Sequence, residues 1–272
     1  DTSTSILSIL PIHHTYECTL GFLLVISSGG SIAFCDGLKY IAKNIAEYKP
    51  NIILSVPLLL ENVHKKIMTA LKESLPEKYF NTGKHIMDSI PFFMRPIVKK
   101  KIQKSLGGNL KKIIVGAAAV DPELLRSFEK FGILVLSGYG LTECSPLVAG
   151  NNDFLHNFSS VGLPIPNVEY IIDSPNSEGI GEILVKGPNV MLGYYKNEKA
   201  TKETFKGEYL KTGDLGKIDE KGWLYITGRC KSVIITKNGE NVYPEELEEM
   251  LNKNDAISES LVTGDFDKKS SD

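Results

Sequence analysis

A length of 272 residues suits one large or two medium domains, and 42% hydrophobic with 24% charged residues is the profile of an ordinary globular protein. The formal net charge of -2 gives no electrostatic reason to bind nucleic acid. Cys18, Cys35, Cys144 and Cys230 form no CxxC pair, which argues against a disulfide scaffold or a structural zinc site and fits a reducing, cytoplasmic setting. The longest apolar run, Leu20 to Ile26, is too short to span a bilayer.

In chain order, Ile6 to Leu10 reads as a strand and Thr15 to Ile26 as an apolar helix. Gly29 and Gly30 read as that helix's C-cap and turn, and Ser31 to Phe34 as a short strand. A helix from Leu38 to Tyr48, a buried strand from Asn51 to Val56 and a helix opening at Pro57 follow. Lys112 to Val115 and Ile133 to Ser137 are further strands, and between them Asp121-Pro122-Glu123 has the N-cap, first position and acidic first turn of a helix. The alternation predicts an α/β fold, a parallel sheet layered with helices, over residues 1–157. From residue 158 to 228 short strands follow one another, at Glu169 to Ile172, Gly181 to Lys186, Tyr209 to Thr212 and Trp223 to Thr227, with turn-rich links. That pattern predicts a small antiparallel, barrel-like β region. Residues 229–272 read as a hinge and the start of an α+β C-terminal domain: a strand from Ser232 to Thr236, an Asn238-Gly239 hairpin, a helix from Pro244 and a final strand from Ile257 to Thr263. The opening in mid-pattern at Asp1 and the stop just after that strand make the sequence read as a piece of a longer protein.

The most informative segment is Gly-Tyr-Gly-Leu-Thr-Glu at 138–143, directly after the apolar strand. Loops leaving the carboxyl end of a buried parallel strand are where open α/β sheets bind ligands. This one can stack a base on Tyr139, hydrogen-bond phosphate through Thr142 and hold a hard cation through Glu143, with Gly138 and Gly140 admitting close backbone approach. Val115 to Ala119 is built of small residues, which suits either a flat ring lying against backbone or close helix–strand packing. Asp214, at the end of a strand, suits either the two hydroxyls of a ribose or a turn cap. Arg229 and Lys231 place two cations where phosphate or carboxylate can be clamped.

Together these segments resemble the adenylate-forming (AMP-binding) superfamily of acyl-CoA synthetases, luciferases and peptide-synthetase adenylation domains. The resemblance is carried by Tyr-Gly-Leu-Thr-Glu at 139–143, Gly-Glu-Ile-Leu-Val-Lys-Gly at 181–187, Gly-Tyr-Tyr at 193–195, Thr-Gly-Asp at 212–214, Gly-Arg-Cys-Lys at 228–231 and the run from Asn238 to Glu248. The spelling from Gly228 to Pro244, Leu-Pro-Ile-His-His-Thr-Tyr-Glu at 10–17 and the basic insertion after Val63 look most like long-chain fatty acid–CoA ligases. The resemblance implies activation of a fatty acid by ATP to acyl-AMP, with Mg²⁺, and transfer of the acyl group to coenzyme A. It implies that Tyr139 stacks on adenine with Gly116 and Ala117 on its other face, and that Gly140 belongs to the nucleotide loop. Thr142 would contact the α-phosphate and Glu143 hold Mg²⁺; Asp214 would bind the ribose and Arg229 the ribose or phosphate. Lys231 would be the hinge of the small domain, and His14 would sit near the acyl carbonyl and thiol channel. The family's phosphate loop would lie upstream of Asp1 and its catalytic lysine downstream of Asp272, so the 272 residues alone are expected to have little ligase activity. Rival readings are the same chemistry on another acid or an acyl carrier protein, and a non-catalytic nucleotide-binding protein that kept the fold.

Several signals take plainer readings. His13 and His14 are adjacent and do not share a helix face, so they are not read as a metal site with Glu17. Trp223 and Cys144 read as packing residues. Arg95 to Lys112 holds seven basic residues and no acidic one, after Pro91-Phe92-Phe93-Met94; it reads as a solvated helix face, or as a contact with an anionic membrane or with coenzyme A phosphates.

Overall fold

The computed structural model describes residues 3–80, 85–116, 120–235, 241–252, 254, 257 and 259–264. The chain divides into two compact units, Asp1–Ile165 and Pro166–Asp272.

The first unit begins with β1 (Ser5–Ser8), a π-helical segment (Glu17–Leu23) that runs into α1 (Leu24–Ser27), and β2 (Ser31–Phe34). The helix predicted over Thr15 to Ile26 is therefore present, but most of it is wound more loosely than an α-helix. It ends as the glycine pair predicts. The Gly29 N–H donates to Ile26 O and the Gly30 N–H to Val25 O, with Gly29 left-handed at φ 73°, so the exposed last carbonyls are satisfied. Then come α2 (Ile41–Tyr48), β3 (Ile52–Ser55), α3 (Pro57–Ser74), α4 (Ile86–Ser89), α5 (Arg95–Ser105), β4 (Lys112–Val115), α6 (Pro122–Phe131), β5 (Leu134–Gly140), β6 (Leu147–Gly150) and β7 (Leu163–Pro164). Proline begins α3 and α6, where its missing N–H costs nothing, and the Asp121 carboxylate accepts from the Glu123 N–H at 2.9 Å to cap α6.

The sheet order is β2-β1-β3-β4-β5-β6-β7. The first five strands are parallel, and β6 and β7 extend the sheet antiparallel, past residue 158. Register fixes which residues face which layer. The cross-sheet row Leu7, Ile53, Ile113 and Val135 packs against α2, α3, α5 and α6. The alternate residues Ile6, Leu54 and Ile114 pack against Val25, Tyr16 and Leu20 from the π-helical segment and α1. Both faces are buried, which is why these strands read as continuous apolar runs.

One polar relay crosses the larger core. The Ser127 hydroxyl on α6 lies 2.7 Å from His64 Nε2 on α3 and 2.8 Å from His85 Nε2, just before α4. His85 Nδ1 accepts from the Met87 N–H, which leaves the proton on Nε2. That proton goes to Ser127 Oγ, and the Ser127 hydroxyl donates to His64. The two rings lie against Phe131, at centroid distances of 5.8 Å for His64 and 5.4 Å for His85. Burying Phe128 and Phe131 contributes about 1.5–3 kcal/mol each, against about 0.5–1.5 kcal/mol net per hydrogen bond. Packing therefore stabilises this junction, and the relay orients it.

The second unit contains β8 (Glu169–Asp173), β9 (Gly181–Lys186), α7 (Glu198–Thr204), β10 (Phe205–Lys206), β11 (Tyr209–Ile218) and β12 (Leu224–Arg229). These strands make one antiparallel sheet in which the long β11 pairs with β9 along one edge and with β10 and β12 in succession along the other. Asp219 Oδ1 accepts from the N–H groups of Lys221 and Trp223, both at 2.9 Å, closing the β11–β12 turn over a buried Trp223. β13 (Ile234–Ile235), β14 (Asn241–Val242) and α8 (Pro244–Asn252) follow; Asn238 and Gly239 lie outside the described residues. The strand predicted over Ile257 to Thr263 is not formed among the described residues. Instead the Val262 N–H donates to Glu248 Oε1 at 2.8 Å and the Ser260 hydroxyl to Glu248 O, so a side chain on α8 pins the segment in place of a neighbouring strand. Among the described residues no helix is long and apolar enough to cross a membrane.

Burial holds His85 well below the ordinary histidine range, at about 4, and Lys130 adds to that shift; burial also lowers His64. The fold thus favours neutral rings, and their contribution is complete above about pH 6.5 and lost as the pH falls toward 4. Ser127→Ala, which strips both Nε2 atoms of their partner, is expected to cost about 1–3 kcal/mol at neutral pH. In urea unfolding, His85→Gln is expected to flatten the fall in midpoint between about pH 6.5 and 4.5; an unchanged slope would contradict the assignment.

Candidate functional site

The register of β4 on β5, Val115 opposite Ser137, brings Gly116 to the same sheet edge as the segment from Gly138 onward. Tyr139 and Gly140 are not in a free loop: β5 continues through them and pairs antiparallel with β6, Tyr139 opposite Ala149. The loop then closes on itself. The Leu141 N–H donates to Pro146 O at 2.8 Å, the Cys144 N–H to Leu141 O at 2.9 Å, and a 3₁₀ turn carries Thr142–Cys144. Thr142 is exposed, while Tyr139 and Glu143 are half-buried and each engaged with a neighbour. A Cβ at Gly140 would stand 1.8 Å from Pro146 O. The glycine expected to admit a ligand is thus already required by the loop's own closure.

Cys144 is fully buried, and burial, with the charge of Glu143, pushes its thiol up to about 12. It packs and is no nucleophile. Ala117 lies outside the described residues. His14 is exposed, and its Nδ1 accepts from the Tyr16 N–H at 3.2 Å.

Two residues that spacing does not reveal, Tyr16 and Glu17, fill the carboxyl edge of the sheet. In the order β2-β1-β3-β4-β5 the connections reverse between β1 and β3, the point where such sheets form a crevice. The Tyr16 hydroxyl donates to Ile114 O at 2.9 Å, and its ring lies 3.5 Å from where a Cβ on Gly116 would be. Glu17 is 0% exposed. Neither of its oxygens makes a hydrogen bond of normal geometry, although the Ser8 hydroxyl and Leu10 backbone are close enough to offset part of the cost. Burial raises its pKa. The available signal was Glu17 itself, a carboxylate opening an apolar segment.

In the second unit the structure brings Asp214 and Arg229 together. They are register partners on β11 and β12, with Arg229 Nε 3.3 Å from Asp214 Oδ1. Asp214 sits where β11 slips its register against β9 and β12, a bulge of the kind that re-aims side chains. The irregular backbone is satisfied locally. The Thr212 hydroxyl donates to Ile183 O at 2.8 Å, the Gly213 N–H donates to Glu182 Oε1 at 3.1 Å, the Asp214 N–H donates to Thr212 Oγ1 at 3.1 Å, and the Cys230 N–H donates to Gly213 O at 2.8 Å. The Asp214 side chain is 15% exposed and that of Arg229 75%. Lys231 is exposed, two residues beyond β12. The predicted nucleotide residues therefore divide between the units: Gly116, Tyr139, Gly140, Thr142 and Glu143 in the first, and Asp214, Arg229 and Lys231 in the second.

A mainly parallel sheet layered with helices, followed by a curled antiparallel sheet, matches the fold of the adenylate-forming enzymes. The chain belongs to the AMP-binding enzyme family, whose profile matches residues 1–195. It is 32% identical over 278 aligned positions to the long-chain-fatty-acid–CoA ligase FadD15 of Mycobacterium bovis, an alignment covering 96% of this chain and 45% of that protein. Among solved structures it is similar to o-succinylbenzoate CoA synthetase (MenE) of Bacillus subtilis in complex with the acyl-adenylate OSB-AMP, with a TM-score of 0.73 and 27% identity, covering 98% of this chain and 49% of that one. The same enzyme has been solved with ATP and magnesium ion. ATP-bound MatB of Rhodopseudomonas palustris is also similar, with a TM-score of 0.71 and 26% identity, covering 96% of this chain and 46% of that one. The chain thus spans about half the length of the proteins it matches.

The donor set fits Mg²⁺ held mainly by phosphate. Among the described residues no three His, Cys, Asp or Glu side chains cluster into a cage. A half-exposed Glu143 beside an exposed Thr142 offers the single carboxylate and hydroxyl that such an ion takes together with substrate oxygens and water.

Gly140→Ala is expected to lower the thermal unfolding midpoint by several degrees, because Pro146 must be displaced. For Glu17, a raised pKa means that the folded state holds the proton more tightly than the unfolded chain, so its contribution weakens as the pH rises above the ordinary glutamate value. Glu17→Gln is accordingly expected to gain stability over the parent protein as the pH rises above the ordinary glutamate value; a difference that does not change with pH there would contradict the assignment.

Proposed function

We propose that the protein containing this chain is an AMP-forming ligase that activates a long-chain fatty acid with ATP and passes the acyl group to coenzyme A. The observation that carries this reading is the family match across the Tyr139 turn, in a chain whose 32% identity to a long-chain ligase runs over 96% of its length. In the first half-reaction a fatty carboxylate oxygen forms a bond to the α-phosphorus as the bond to the bridging oxygen breaks, and pyrophosphate leaves with the electron pair. In the second, the coenzyme A sulfur, having lost its proton, attacks the acyl carbonyl and AMP departs. A carboxylate is a poor acyl donor because oxide is a poor leaving group, and the phosphate ester removes that obstacle.

The chain's residues position and neutralise charge. Tyr139 stacks on adenine opposite Gly116 and Ala117. The Thr142 hydroxyl donates to the α-phosphate, and Asp214 accepts from the ribose hydroxyls, held in line by Arg229. His14, with its Nδ1 occupied by the Tyr16 amide, presents Nε2 toward the acyl carbonyl and thiol. Lys231 is the hinge between half-reactions. Mg²⁺ on Glu143 supplies neutralisation of the phosphate charge.

A second reading, the same chemistry on a shorter acid or with an acyl carrier protein as acceptor, draws support from the similarity to the o-succinylbenzoate synthetase. A thermal-shift series with acyl sulfamoyl adenosines of graded chain length separates the two. Stabilisation that grows with chain length supports the long-chain reading, and a maximum at a short acyl group overturns it. In ATP–pyrophosphate exchange with palmitate, Glu143→Gln is expected to lower the rate on the order of a hundredfold. Asp214→Ala is expected to raise the KM for ATP about tenfold, the loss of one charge-assisted hydrogen-bond acceptor.

A further inference from the structure

We propose that the tip formed by residues 92–104 is a docking surface for an anionic lipid bilayer. The inference does not depend on the nucleotide chemistry. Phe92 and Phe93, in the short turn that leads into α5, are 82% and 74% exposed, and Ile97 in the first turn of α5 is 68% exposed. Large apolar side chains left this open to water cost hydration free energy.

The lysines continue the same face. Ile97, Lys100, Lys101 and Lys104 follow the i, i+3, i+4, i+7 spacing of one helix side, while Val98 and Ile102 turn into the core. An apolar lead thus projects beside a cationic stripe. No acidic residue occurs between Ser89 and Lys112. Asp88, the nearest acid before them in the chain, is bound to Lys130, and its carbonyl accepts from Arg95.

The charge type selects the partner. Protein interfaces are depleted in lysine and enriched in arginine, with a polar rim that supplies directional hydrogen bonds. Here the exposed cations of the helix are all lysines, compact charges on long flexible stems, and the apolar groups beside them are largely exposed. That combination suits a fluid, negatively charged surface into which rings insert while ammonium groups stay at headgroup level.

The test is sedimentation of the protein with sucrose-loaded vesicles of phosphatidylcholine, with and without about a third phosphatidylserine, at low and high salt. Selective, salt-weakened binding to the phosphatidylserine vesicles is expected. Lys100→Glu/Lys101→Glu/Lys104→Glu should reduce partitioning on the order of a hundredfold, about fivefold or more per lysine. Phe92→Ser/Phe93→Ser should remove the fraction that survives high salt. Both sets are on the surface, so matching circular dichroism and unfolding midpoints keep folding out of the comparison. Equal binding to neutral vesicles, parent-like binding by either variant, or complete competition by free coenzyme A or inorganic phosphate would overturn the proposal. So would retention on an acidic protein without retention on vesicles.

Discussion

The parallel register of β3, β4 and β5 is the constraint on which the candidate site in the first unit rests. Because side chains alternate with a period of two, pairing Ile53 with Ile113 and Ile113 with Val135 puts one apolar row into the helical layer and the next row against the π-helical segment. A slip of one residue would exchange a strand's two rows between the layers and break the packing of both. It would also move Gly116 out of line with the strand that ends in Tyr139. The energetics of burying two sheet faces thus decide where the chemistry-bearing turn falls, and the turn needs only local closure, through Leu141 and Pro146, to hold its form. In the second unit the register also places the pair: Asp214 and Arg229 are opposite partners on β11 and β12, next to the slip in β11.

The alternating βα pattern was legible because both faces of these strands are buried and their ends carry proline, aspartate and glycine signals. The boundaries of β2, β4 and β9 and the Asp121 cap agree with the residues that imply them. The antiparallel region was equally legible from its turns. Where the two differ, the missing information is non-local. A final strand at Ile257 requires a partner edge, and the Val262 amide is taken instead by Glu248. β11 and β12 run on to Ile218 and Arg229 because each finds a long partner, which no local window reports.

For the candidate site, motif spelling singled out Tyr139, Thr142, Glu143, Asp214 and Arg229, and the structure adds how the last two are joined. It could not single out Tyr16, whose contact with Ile114 spans 98 residues, or the His64–Ser127–His85 relay, whose members are 63 and 42 residues apart. Such contacts follow from layer packing, which brings α3, α4 and α6 to one junction. No spacing rule connects a histidine on one helix to a serine on another.

A physical sorting runs through the ionisable groups. Burial shifts several groups of the first unit toward their neutral forms: it raises Glu17 and Cys144 and lowers His64 and His85. Desolvation penalises the charged form, and at each of these positions it is the largest cause of the shift. The candidate site residues Thr142, Glu143 and Arg229 stay at least partly open to water, and Asp214 keeps both a guanidinium and some exposure. Two glutamates on one sheet edge, Glu17 and Glu143, differ in environment: Glu17 opens the π-helical segment fully buried, and Glu143 stands half-buried on a turn.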